Sequence, residues 1–163
     1  MNFPIYAILE NVRSLYNVGA IFRTSDGASL NKLFLCGITS CPPRPEISKT
    51  ALGAEKSVKW EYQEEASSVI ADLKKKGITI VGVEIADGAE NYFDADISFP
   101  ACFVFGHETE GVSQEVLKMC DKKVFVPMYG KKESLNVEAA FSTVIYEMVR
   151  KYLNQKKNDH KKV

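Results

Sequence analysis

Three polar stretches of this chain stand where apolar runs end or begin, and they hold the residue types that could do chemistry. The first is Asn11-Val12-Arg13-Ser14-Leu15-Tyr16-Asn17-Val18-Gly19-Ala20-Ile21-Phe22-Arg23. The second is Phe105-Gly106-His107-Glu108-Thr109-Glu110-Gly111, and the third is Ser134-Leu135-Asn136. Ligand binding is the chemistry such stretches suit, because α/β proteins build sites at strand ends and helix mouths. Each also has a plainer reading. Arg23, in the second turn of an otherwise apolar helix, could be a surface arginine with a snorkelling stem. The glycine-bounded loop could be a tight turn with solvated acids. It lacks the G-x-G-x-x-G spacing of a dinucleotide site, and no lysine follows as in a P-loop. Ser134-Leu135-Asn136 could be no more than a helix cap.

The elements that must position these stretches follow from periodicity. Ile5 to Leu9, Lys32 to Cys36, Ile78 to Glu84 and Ala101 to Phe105 are short apolar runs, the pattern of strands buried on both faces. Val58 to Tyr62 alternates and reads as a strand nearer an edge, and Val124 to Met128 reads as a strand closed by Pro127. Asn17 stands as the cap of a first helix over about Val18–Leu30. Gly19 costs that helix roughly 1 kcal/mol relative to alanine, so close backbone approach is expected there. Pro45 to Leu52, ended by Gly53, reads as a short helix in a proline-rich insert. Ala66, Val69, Ile70 and Leu73 mark another helix, ended by Lys74-Lys75-Lys76-Gly77. Val112 to Cys120 reads as a short helix capped by Ser113. The segment between Asp87-Gly88 and Pro100 is polar, with room for a helical turn. Asn136 caps the last helix, where Val137, Ala140, Phe141, Val144, Ile145, Met148, Val149, Tyr152 and Leu153 recur at three-four spacing. The stripe's far end, from Met148 to Leu153, runs past the length of a typical strand and calls for a partner surface. Strands alternating with helices imply a mostly parallel sheet covered on both faces, in one domain over residues 1–153. Residues 154–163 read as a lysine-rich flexible tail.

Composition bounds the function. Of 163 residues, 45% are hydrophobic and 26% charged, ordinary for a globular domain. No apolar run reaches membrane length and the N-terminus lacks a signal layout, so the expected compartment is the cytoplasm and no membrane partner is expected. Cys36, Cys41, Cys102 and Cys120 form no C-x-x-C pair and read as reduced thiols, mostly in the core. With only His107 and His160 beside them, a metal site is not expected. Net charge is zero, so any nucleic-acid affinity must come from local cations or from charge pooled across an oligomer.

Together the three stretches resemble the motifs of the SpoU (TrmH-type) RNA ribose methyltransferases of the SPOUT superfamily. N-x-G-x-I-x-R matches Asn17 to Arg23, and F-G-x-E-x-x-G matches Phe105 to Gly111. I-P-M…S-L-N-V-x-x-A matches Val126-Pro127-Met128 and Ser134 to Ala140. The resemblance implies an α/β fold with a C-terminal trefoil knot, S-adenosylmethionine bound in that knot, and a homodimer packed through its first and last helices. It implies methylation of a ribose 2′-hydroxyl in RNA, with tRNA favoured and rRNA the alternative. By motif position, Phe105, Gly106, Glu108, Gly111, Val126, Pro127, Met128, Leu135 and Asn136 would hold the cofactor. Arg23, Asn17, Glu108, Ser134 and Asn136 would form the catalytic set. In that set Arg23 meets the hydroxyl and its neighbouring phosphate, and Asn17 and Ser134 orient ribose or Arg23. Glu108 fixes the first motif's side chains, and Asn136 holds its loop near the cofactor. His107 is given no role. The chain departs from many relatives in its neutral charge and in showing no separate RNA-binding domain. An inactive RNA-binding or assembly factor of the same fold is the reading from another class, and the intact motif residues argue against it. Methylation of a base is disfavoured because the asparagine and arginine of the first motif mark the ribose branch.

Overall fold

The computed structural model describes residues 2–161. Seven strands form one sheet: β1 (Ile5–Glu10), β2 (Lys32–Cys36), β3 (Trp60–Gln63), β4 (Thr79–Val83), β5 (Glu90–Asn91), β6 (Ala101–Phe105) and β7 (Lys122–Phe125). Their order is β3-β2-β1-β6-β4-β7-β5, and every pairing is parallel. Six helices complete the fold: α1 (Leu15–Gly27), α2 (Pro45–Ala51), α3 (Ala54–Ser57), α4 (Ala66–Lys75), α5 (Gln114–Met119) and α6 (Val137–Lys161).

Side chains alternate across a strand, so each central strand feeds two cores. Ile5, Ala7 and Leu9 of β1 lie in register with Ala101, Phe103 and Phe105 of β6, and all six face α1, α2 and α6. There they meet Val18, Ile21, Phe22, Ile47, Phe141, Val144, Ile145 and Met148. Ile8, Cys102 and Val104 face the other way, onto Val69, Ile70 and Leu73 of α4 and Val116 and Leu117 of α5. That double burial is why the central strands read as continuous apolar runs.

Gly19 is where α2 meets α1. A Cβ there would lie 2.1 Å from Thr50 Oγ1 and 2.2 Å from the Ile47 carbonyl oxygen, and Thr50 Oγ1 donates to the Tyr16 carbonyl at 2.8 Å. The insert between β2 and β3 thus seats the first turns of α1. Cys36 and Cys102 are buried, and burial pushes the Cys36 thiol up to about 12 and the Cys102 thiol well above the usual range. They pack as small hydrophobes and are poor nucleophiles.

Several expectations change. Helix α1 begins at Leu15 and is capped by Ser14, whose hydroxyl accepts from the Asn17 backbone N–H at 3.3 Å. Asn17 therefore lies inside the first turn. Strand β7 ends at Phe125, two residues before Pro127, and the polar segment after β4 forms the two-residue strand β5. The region read as a tail is helical as far as Lys161, while residues 162 and 163 lie outside the described residues. At its start Gln155 Nε2 donates to the Ile97 carbonyl, and just before it Lys151 Nζ donates to the carbonyls of Phe93 and Ala95. The apolar stripe of α6 is also better covered than its length suggests. Met148 is fully buried and Tyr152 packs edge-on against Phe3 and Phe99, leaving Tyr146 and Leu153 as the exposed large apolar residues of this helix. Among the described residues, no helix is long and apolar enough to cross a membrane.

Candidate active site

Because the sheet is parallel, the loops after β4, β6 and β7 leave from one edge. They enclose a cleft lined by Val83, Glu84 and Ile85, by Phe105 to Gly111, by Phe125 and Val126, and by Ser134, Leu135, Val137 and Ala140.

The loop after β6 is held shut. His107 N–H donates to the Gly111 carbonyl at 3.1 Å and Gly111 N–H returns to His107 at 2.9 Å. His107 Nδ1 accepts from the backbone N–H groups of Thr109 and Glu110 at 3.1 and 3.2 Å. The glycine spacing has a steric cause. A Cβ on Gly106 would meet Gly111 and Val112 backbone atoms at 2.2–2.3 Å. Gly111 has φ +71°, and a Cβ on it would fall 2.0 Å from Glu84 Oε2. Glu84, at the end of β4, accepts from Val112 N–H at 3.0 Å through Oε2 and from Ile85 N–H at 3.1 Å through Oε1.

Glu108 reaches out of this loop to α1. Its carboxylate accepts from Arg13 N–H at 3.0 Å, Ser14 N–H at 2.8 Å and Asn17 Nδ2 at 3.5 Å. Burial is the largest single influence on its pKa and acts upward. The hydrogen bonds from Ser14 and Arg13 outweigh it and hold the carboxyl below its ordinary value. Glu108 is thus an anionic acceptor at neutral pH and an ill-suited proton donor. A carboxylate only accepts, so Asn17 must turn its amide nitrogen to Glu108 and its oxygen outward. That oxygen accepts from Asn136 Nδ2 at 3.4 Å. Asn136 Oδ1 in turn caps α6, accepting from the backbone N–H groups of Glu138 and Ala139 at 2.9 and 3.3 Å. One polar chain, Glu108–Asn17–Asn136, ties together the β6 loop, the start of α1 and the start of α6. A second contact locks the two helices: Thr24 Oγ1 lies 2.8 Å from Ser142 Oγ, which donates to Glu138 at 2.7 Å.

Of the residues singled out in the sequence, the structure joins Asn17, Glu108 and Asn136 directly. Phe105, Gly106, Glu108, Gly111, Val126, Ser134 and Leu135 line the cleft, whereas Pro127, Met128 and Asn136 do not. Arg23 is exposed on α1, with no hydrogen bond or ion pair among the described residues. Sequence reasoning misses Glu84, Ser14, the loop-closing role of His107 and the Thr24–Ser142–Glu138 contact. Only Ser14 carries a local signal, as a capping residue one position before the helix. Among the described residues, no three His, Cys, Asp or Glu side chains gather as a metal site would require.

A tRNA (guanosine(18)-2′-O)-methyltransferase from Escherichia coli (strain K12) is 28% identical over 146 residues, covering 90% of this chain and 63% of that protein. This chain therefore spans a little under two thirds of that relative's length. The crystal structure of the Aquifex aeolicus TrmH/SpoU tRNA modifying enzyme superposes with a TM-score of 0.85 at 27% identity, over 94% of this chain and 77% of that one. The SpoU methyltransferase AviRb from Streptomyces viridochromogenes, in complex with the cofactor AdoMet, superposes with a TM-score of 0.84 at 25% identity, over 91% and 60% of the two chains. Residues 4–146, which contain the whole cleft and the polar chain beside it, match the model of the SpoU rRNA Methylase family, and to that family this chain belongs.

Proposed function

We propose that this chain transfers a methyl group from S-adenosylmethionine to a ribose 2′-hydroxyl of RNA, with tRNA as the substrate class. The observation that carries the reading is the Glu108–Asn17–Asn136 chain. It ties together the loops of all three motifs beside one apolar-walled cleft. The cleft suits the cofactor: Phe105, Val126 and Leu135 offer apolar walls for an adenine, and the β6 loop presents backbone at close quarters because both its glycines lack a Cβ. When bound, S-adenosylmethionine supplies a methyl already activated on a sulfonium sulfur. The chain then has to align a ribose oxygen and help its proton depart. Arg23 has no hydrogen bond or ion pair among the described residues and takes the RNA phosphate. Being always charged, it favours the ionised oxygen without accepting a proton. Ser134 orients the ribose from the cleft wall. Asn17, with both ends of its amide engaged, acts as a positioning residue, as do Glu108 and Asn136.

The tRNA assignment draws on the E. coli and A. aeolicus relatives, and rRNA is the second reading because the matching family model is described by it. An inactive factor of this fold would have no use for a motif set kept intact and interlinked. We further propose that residues 1–153 act as one catalytic domain in the cytoplasm, that the C-terminal segment is threaded as a trefoil knot, and that the working unit is a homodimer. The dimer reading draws on Tyr146 and Leu153, seven residues apart and so on one face of α6, which are 52% and 42% exposed. The test is incubation with methyl-labelled cofactor and separate tRNA and rRNA pools, followed by nucleoside mass spectrometry. A labelled 2′-O-methyl nucleoside from tRNA is expected. No transfer to either pool, with no calorimetric binding of cofactor at millimolar concentration in excess chelator, would overturn the reading.

A further inference from the structure

The cleft is anionic. Glu84, Glu108 and Glu110 line it, and none of its lining residues is a lysine or arginine. The three carboxylates are not equivalent. Glu108 turns its carboxylate to Arg13, Ser14 and Asn17 at the start of α1, and Glu110 is exposed. Glu84 is half-buried in the cleft wall and held in place through both oxygens, by Val112 N–H and Ile85 N–H. A carboxylate oxygen has two lone pairs, so each Glu84 oxygen keeps acceptor capacity and charge toward the cleft.

We propose that Glu84 is a cofactor-binding residue whose charge makes the cleft prefer the cationic methyl donor over its product, a zwitterion of no net charge. The inference rests on the methyltransferase reading above. At neutral pH the donor carries a sulfonium, an ammonium and a carboxylate, a net charge of one. In the transfer the carbon–sulfur bond breaks with its electron pair left on sulfur. The ribose oxygen supplies the pair of the new carbon–oxygen bond, and the hydroxyl proton passes to water. The ligand left in the cleft is a thioether with no net charge. A fixed carboxylate therefore holds the reactant more tightly than the product, and the product's departure is eased by the chemistry itself. Glu84 suits this task because its two backbone hydrogen bonds stop it from swinging into solvent, where water would screen it.

Calorimetry on the full chain tests the proposal, with S-adenosylmethionine and S-adenosylhomocysteine titrated separately. Glu84→Gln should weaken the cationic ligand by about 3- to 10-fold, as expected for one charge pair at a partly solvated site, while the product's affinity moves less than about 2-fold. Glu84→Asp keeps the charge and should keep the wild-type ratio of the two affinities even if both fall. Equal weakening of both ligands by Glu84→Gln would reduce Glu84 to a clasp on the β6 loop and overturn the proposal, as would unchanged affinities. If Glu84→Gln does not fold, Glu84→Ala gives the same reading: the ratio of the two affinities should shift against the cationic ligand by about 3- to 10-fold, and an unchanged ratio would overturn the proposal. A wild-type chain that binds neither ligand would instead sink the cofactor reading itself.

Discussion

Glu108→Gln separates charge from shape at the centre of the site. Glutamine is isosteric with glutamate, so packing is kept. Its amide offers one oxygen where the carboxylate offers two, and it turns an N–H toward either Arg13 N–H or Ser14 N–H. The native bonds to those groups are 3.0 and 2.8 Å, both to a charged acceptor. Such bonds contribute about 1.5–3 kcal/mol each, and the lower end applies to a partly exposed carboxylate. The 3.5 Å contact with Asn17 adds little. Losing one bond and weakening the other should therefore cost about 2 kcal/mol at neutral pH. The sign of the pH dependence follows from the depressed pKa of Glu108. A carboxyl whose folded value lies below its unfolded value stabilises the fold fully above the unfolded value and loses that contribution as pH falls through the folded one. The wild-type advantage should thus be flat above about pH 5 and shrink in more acidic solution, since the unfolded glutamate titrates near pH 4.3. Urea unfolding of both proteins at a series of pH values measures this. A difference that persists unchanged at pH 3, or its absence at pH 7, would refute the charge-assisted account.

Other consequences are as specific. Gly19→Ala should destabilise by about 1–3 kcal/mol through the overlap with Thr50 and Ile47, although helix propensity alone predicts a gain of about 1 kcal/mol. Adding Thr50→Ala should not restore stability, because the Ile47 carbonyl remains, and urea midpoints decide. Arg23→Ala should abolish methyl transfer while cofactor affinity holds and stability changes by less than about 0.5 kcal/mol, as for an exposed side chain; near-normal turnover would remove Arg23 from the mechanism. Tyr146→Glu charges an exposed residue of α6 and should move the sedimenting species from dimer toward monomer, and a wild-type chain that sediments as a monomer would end the dimer reading. In native protein at pH 8, Cys36 and Cys102 should resist iodoacetamide for far longer than in urea, measured by mass spectrometry, because burial raises both thiols.

What the sequence determines here is whatever a short segment decides for itself. The buried strands Lys32–Cys36 and Ala101–Phe105 stand where their apolar runs place them, and Ser113 and Asn136 cap α5 and α6. Those features depend on neighbours within a few residues. The family is legible too, because three motifs far apart in the chain carry it. The cap of α1 marks the boundary. Ser14 and Asn17 are both capping types three residues apart, and Ser14 takes the position while the Asn17 amide bonds Glu108 and Asn136. Those partners are 91 and 119 residues away, so no local pattern announces them. Glu84 was invisible for the same reason: at the end of one apolar run, only the placement of β4 between β6 and β7 brings it under Gly111. The far end of the α6 stripe divides, because stripe length says how much apolar surface a helix carries and not that Phe3 and Phe99 cover Tyr152 while Leu153 stays exposed. Strand order, a property of the whole sheet, decides which loops share an edge and hence which polar groups can meet. The segments specify their own shapes, and the tertiary structure chose their companions.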